Sequence, residues 1–109
     1  MSERIKATRS SGNVFADLGR PQPEEALAKA RLAYEIERSI RKQGLKQSEA
    51  AKVLGIDQPK VSALRNGRLS GFSVERLIRF LNALHRDVEI VVSAKPSSRR
   101  RGRLLVRAA

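Results

Sequence analysis

Gln47-Ser48-Glu49-Ala50-Ala51-Lys52-Val53-Leu54-Gly55-Ile56-Asp57-Gln58-Pro59-Lys60-Val61-Ser62-Ala63-Leu64-Arg65-Asn66-Gly67 is the stretch that decides the fold of this 109-residue chain. Gln47 to Leu54 reads as a short helix with a small inward side, Ala50 and Ala51, completed by Leu54. Gly55 permits the positive φ that a sharp exit needs, and a second short helix begins almost at once, from about Gln58 to Asn66. Val61 and Leu64 are its buried pair, and Pro59 is tolerated in the first turn because that turn has no use for its missing N–H. Ala51 lets the two helices approach, while Ile56, Val61 and Leu64 fill the angle between them. Small, glycine and apolar positions fall in register over the whole stretch, which is the pattern of a helix-turn-helix. Asn66-Gly67 closes it with a left-handed exit signal.

The flanks extend this to an all-α fold, a compact bundle of four to five helices with a C-terminal β-strand. Upstream, Pro23 followed by Glu24 and Glu25 starts a helix, since proline suits the first position and acids complement the positive end of the dipole. That helix is expected to run to about Gln43, with Ala33, Ile36 and Ile40 on one face and Gly44 as its stop. Downstream, Ser73 caps a strongly amphipathic helix marked by Val74, Leu77, Ile78, Leu81 and Leu84. At Asp87-Val88-Glu89-Ile90-Val91-Val92-Ser93 the period changes to that of a strand. A lone strand cannot satisfy its own backbone, and no second strand-like run stands out, so residues 87–93 are expected to pair with the same strand of a second copy, with Val88, Ile90 and Val92 on one side.

The domain boundaries follow from composition. Residues 1–20 read as a flexible arm with one apolar island around Val14, Phe15 and Leu18. Residues 21–94 read as the folded domain, and 95–109 as a disordered basic tail. Phe, Tyr and Trp make up only 4% of the chain, so the core must rest on aliphatic residues, as packed helices allow. Zero Cys excludes a disulfide framework and thiolate metal sites. No apolar run is long enough to span a bilayer and no secretory h-region is visible, so the expectation is a cytoplasmic protein without a membrane role.

The net charge of +12 points to a polyanionic partner. Residues 38–68 hold eight bases against Glu49 and Asp57, so the motif and its flanks carry +6, and residues 95–109 carry another +6 with no acid. In a helix-turn-helix the N-terminal end of the second helix enters the major groove of duplex DNA. Placing Val61 and Leu64 inward puts Pro59, Ser62, Ala63 and Asn66 on the outer face, with Gln58 at its edge. Gln58 is the leading base reader because its amide can pair with adenine N6 and N7; Ser62 can read several bases, and Pro59 and Ala63 can meet a thymine methyl. Lys46, Gln47, Lys60, Arg65, Asn66 and Arg68 are assigned to the phosphate backbone.

An enzyme is not expected. His85, the only histidine, sits at a helix end where the dipole favours it, and no nucleophile triad, metal cluster or phosphate loop accompanies it. Neither a metal nor a cofactor is called for.

On these residues the chain resembles the Xre family of helix-turn-helix regulators, whose domains are lambda-repressor-like. The likeness extends to Ser11-Gly12-Asn13-Val14-Phe15-Ala16-Asp17-Leu18-Gly19, Gly71-Phe72-Ser73 and Asp87-Val88-Glu89-Ile90, which resemble HigA-type antitoxins. That resemblance implies a homodimer that represses its own operon at a palindromic operator. It also implies neutralisation of a cognate ribonuclease toxin of the RelE/HigB type. Val14, Phe15 and Leu18, spaced to share one side of a helical turn in an otherwise polar arm, are the expected toxin-binding anchors. Two alternatives stay open: a stand-alone or phage-type Xre regulator, in which the arm around Phe15 is a folding staple, docked on the first helix near Leu27 or Tyr34, or a second DNA contact, and an interaction module that has lost DNA binding.

Overall fold

The computed structural model describes residues 23–109, so the arm and its island at Val14, Phe15 and Leu18 lie outside the described residues. Four helices follow one another: α1 (Pro23–Lys42), α2 (Gln47–Leu54), α3 (Gln58–Arg65) and α4 (Val74–Ala83). No helix among the described residues is long and apolar enough to cross a membrane.

α1 begins with Glu24 and Glu25 in its first turn and ends with Arg41 and Lys42 in its last, both charges set favourably along the dipole. Its inner stripe of Leu32, Ala33, Ile36 and Ile40 lies against Leu77, Leu81 and Leu84, making α1 and α4 the long pair of the bundle. α2 and α3 form the crossed pair, joined to it through Ala50, Ala51, Leu54, Val61 and Leu64. Ile36, Ile40, Val61, Leu77 and Leu84 are essentially sealed from solvent. Burying a side chain of that size stabilises by roughly 1.5–3 kcal/mol, so these five hold the helices at fixed angles. Phe72 and Phe80 close the far end of the core edge to face, their centroids 5.9 Å apart at 74°.

Helix ends are fixed by local chemistry. Gly55 ends α2 in the left-handed region at φ 71°, where a β-carbon would be strained, and its N–H donates to the Ala51 and Lys52 carbonyls. α4 ends differently: His85, immediately after Leu84, adopts φ 66° without being glycine. The turn is held there by the Arg86 N–H donating to Leu81 O at 2.9 Å and by Gln43 Nε2 donating to Leu84 O at 2.6 Å. Just beyond it, Arg86 reaches back to α1, donating to Ser39 Oγ at 2.7 Å and Glu35 Oε1 at 3.1 Å.

The strand expected at 87–93 is not present: the described residues contain four helices and no strand. Residues 88–95 carry no regular secondary structure, and no backbone hydrogen bond from them is found among the described residues. The physical reason is the one that governs every strand, since a ladder needs a second backbone and this chain presents none beside it. Val88 leans on the core, whereas Ile90 and Val92 are 75% and 91% exposed. Residues 95–109 likewise carry no helix or strand. They are tied to α1 by the Leu104 N–H donating to Glu24 Oε2 at 2.7 Å, and Val106 packs against the core.

Candidate nucleic-acid interface

α3 is short, and it is fixed at both ends. At its start Asp57 is the N-cap, its carboxylate accepting from the Lys60 N–H at 2.9 Å, with Pro59 in the first turn. From α2, Gln47 Nε2 donates to the carbonyl of Gln58 at 3.4 Å, joining the first residues of the two helices. At its other end Asn66 folds back, its Nδ2 donating to Ser62 O at 2.9 Å and Ser62 Oγ at 3.3 Å. With Val61 and Leu64 buried beneath, the helix cannot roll without emptying the core.

Its open side carries Gln58, Pro59 and Lys60, all exposed, and Ser62 half-buried. Ala63, placed on the outer face by helical projection, is half-buried and packs against the margin of the core. Of the residues assigned to phosphate, Lys46, Lys60, Asn66 and Arg68 are exposed on or next to this side. Lys46 stands at the start of α2, where its N–H donates to Glu49 Oε1 at 2.7 Å. Ser48, Lys52, Gly55, Gln58, Lys60 and Arg76 share one shallow depression alongside.

Arg65 is placed differently from the other bases. Its Nε and one terminal nitrogen donate to the two carboxylate oxygens of Glu37 on α1 at 2.7 and 3.0 Å. Arg41, one turn along α1, donates to the same carboxylate at 2.7 Å. Burial pushes the Glu37 carboxyl up, but hydrogen bonds and charge from Arg65 and Arg41 outweigh it and hold the group below the ordinary glutamate range. The Arg65 guanidinium is raised in turn by the hydrogen bond to Glu37, against a smaller effect of burial. The pair is a bidentate fork between the last residue of α3 and the middle of α1.

Asp57, Glu37 and Arg76 carry weight that the motif reading did not assign them. Asp57 is legible in retrospect, an aspartate directly before Gln-Pro-Lys. Arg76 lies over the rings of Phe72 and Phe80, 5.4 and 5.6 Å from their centroids; the i, i+4 spacing marks its contact with Phe80, whereas Phe72 lies before the N-cap and is brought there by the turn. Nothing local marks Glu37.

The helix-turn-helix domain family matches residues 14–93, a span that begins at the apolar island of the arm and ends with the extended segment after α4. No curated protein matches the chain. Among solved structures, one described as an XRE-family transcriptional regulator superposes with a TM-score of 0.75 at 56% identity, covering 82% of this chain and 100% of its own. The fixed α2–α3 pair, the basic open side of α3, the domain match and this likeness agree, and the chain belongs to the XRE family of helix-turn-helix, DNA-binding transcriptional regulators.

Proposed function

We propose that the protein is a homodimeric repressor that reads a palindromic operator with α3 and serves as the antitoxin of a toxin–antitoxin operon. The observation that carries the first part is the open side of α3. Gln58 stands at the first helical position with its side chain exposed while its own carbonyl is held by Gln47, so the reading amide projects from an anchored backbone. Gln58, Pro59, Ser62 and Ala63 read bases, Ala63 from the edge of the contact. Lys46, Gln47, Lys60, Asn66 and Arg68 hold phosphates. Arg65 is a positioning residue, since its fork is engaged by Glu37. Titration of Gln58→Ala against operator and scrambled duplex tests the assignment: the operator complex should weaken by about 1–3 kcal/mol while the scrambled complex is unchanged. Equal losses on both duplexes remove Gln58 from the reading role.

Dimerisation is supported by the run Glu89–Val92, whose backbone groups make no hydrogen bond among the described residues and whose Ile90, Val91 and Val92 side chains are open to a second copy. A two-fold pairing would set two reading helices about one DNA turn apart. The antitoxin role is supported by the sequence resemblance around Ser11–Gly19, with Val14, Phe15 and Leu18 as the anchors for a RelE/HigB-like ribonuclease. Removing residues 1–20 should leave folding and operator binding intact and abolish neutralisation of a toxin encoded beside this gene. Loss of thermal stability by the isolated truncated protein points instead to a stapled arm on a stand-alone regulator.

A further inference from the structure

Two segments of this chain carry no helix or strand and expose apolar side chains, and they are chemically matched. Residues 88–95 present Ile90, Val91 and Val92 at 75%, 75% and 91% exposure, and the tail presents Leu104 and Leu105 at 47% and 52%. Contiguous apolar groups as open as these mark an interaction surface. Between the segments the chain reverses in a turn closed by the Arg99 N–H donating to Pro96 O at 3.1 Å, with Lys95 Nζ donating to Arg99 O at 2.6 Å.

Charge completes the match. After Glu75 the chain has only two acids, Asp87 and Glu89, both in the first segment, while the tail from Arg99 to Arg107 is exclusively basic among its charged residues. An antiparallel register that sets Glu89 opposite Arg107 also sets Ile90 opposite Val106, Val91 opposite Leu105 and Val92 opposite Leu104. A shift of one residue opposes Val92 to Arg103 and Val88 to Arg107 in one direction, and Ile90 to Arg107 and Glu89 to Ala108 in the other. The pattern therefore selects one pairing, apolar to apolar with a salt bridge at its end.

Within the chain the pairing is not made. No hydrogen bond joins residues 88–93 to residues 103–107, and the tail is drawn to α1 instead: Leu104 N–H and the Arg101 guanidinium both meet the Glu24 carboxylate, at 2.7 and 3.9 Å. We infer that the tail segment Arg103–Arg107 is an exchanged outer strand, pairing with residues 89–93 of a second copy. The inference rests on the homodimer proposed above and deepens it. Two-fold pairing of residues 87–93 consumes one edge of each strand, and the tail of the other copy covers the second edge, closing a four-stranded sheet across the dimer.

The chain has no cysteine, so engineered disulfides report single pairs. Full-length Glu89→Cys and Arg107→Cys proteins are mixed, equilibrated and mildly oxidised. A covalent dimer should form in the mixture well above the level given by either variant alone. In addition, a chain ended after Lys95 should dissociate at a concentration roughly tenfold higher than the full chain, as the loss of a few cross-strand pairs requires. The exchange is overturned if the wild type sediments as a dimer while the mixture gives no covalent dimer, and equally if a single chain carrying both Glu89→Cys and Arg107→Cys closes its disulfide within itself. A wild type that sediments as a monomer overturns the dimer reading itself. Ile90→Pro, which disrupts the inner strand, should abolish the dimer in either pairing scheme, and a tight dimer that survives it overturns the strand-mediated dimer and the exchange together.

Discussion

Glu37→Gln removes one charge from a junction that spans 28 residues of sequence and joins α3 to α1, the longest helix of the bundle. Arg65 and Glu37 are 29% and 22% exposed in their side chains, between the open pairs that contribute almost nothing and the sealed ones whose breakage is severe. Two charge-assisted hydrogen bonds in one fork, discounted for that exposure, are worth about 1–2 kcal/mol. For a domain of this size that corresponds to a fall in Tm of roughly 5–15 °C. Arg41 adds little, because it is 77% exposed. The assay is thermal unfolding followed by circular dichroism for Glu37→Gln, Arg65→Ala and the double variant, at neutral pH and along an acid series. The folded carboxyl titrates below the ordinary glutamate value of 4.5, so its contribution is complete above that value and is lost as pH falls through the lower folded value. Glu37→Gln should therefore be flatter than the wild type on the acid limb. The double variant should be no less stable than the worse single one, since either change already breaks the fork. Additive losses would refute the coupling. So would Arg65→Ala melting like the wild type while its salt dependence of DNA binding flattens, which is the signature of a phosphate contact and not of a strut.

Asp57→Ala removes the N-cap of α3 and should cost about 1 kcal/mol in chemical denaturation, with a larger fractional loss for operator binding than for scrambled DNA because the reading end of the helix frays. His85→Gly should raise stability by about 1 kcal/mol, seen as a higher denaturation midpoint, since φ 66° strains a residue with a β-carbon.

The helices were legible because each carries its own periodicity and punctuation. Gly44, Gly55 and Asn66-Gly67 stop the first three where they stop in the structure, and Val61 with Leu64 set the inward face of α3. What could not be read depends on distant partners. Arg65 looks like any surface base within its motif, and only the packing of α3 on α1 brings Glu37 to it. Ala63 was projected outward by an ideal helix, but the core margin reaches far enough round to half-cover it. Residues 87–93 have the composition of a strand, and composition alone cannot supply the neighbouring backbone that makes one.

Arg86 gives the fold a hinge pin. By gripping Ser39 and Glu35 as the chain leaves α4, it sets the direction in which the 87–95 segment departs from the helices. In the dimer proposed above, joined through that segment, the angle at this point would become the distance between the two α3 helices, so a side chain remote from DNA would act as the ruler for half-site spacing. Loosening it would leave each half-site as well recognised as before and widen the range of separations that two of them can have.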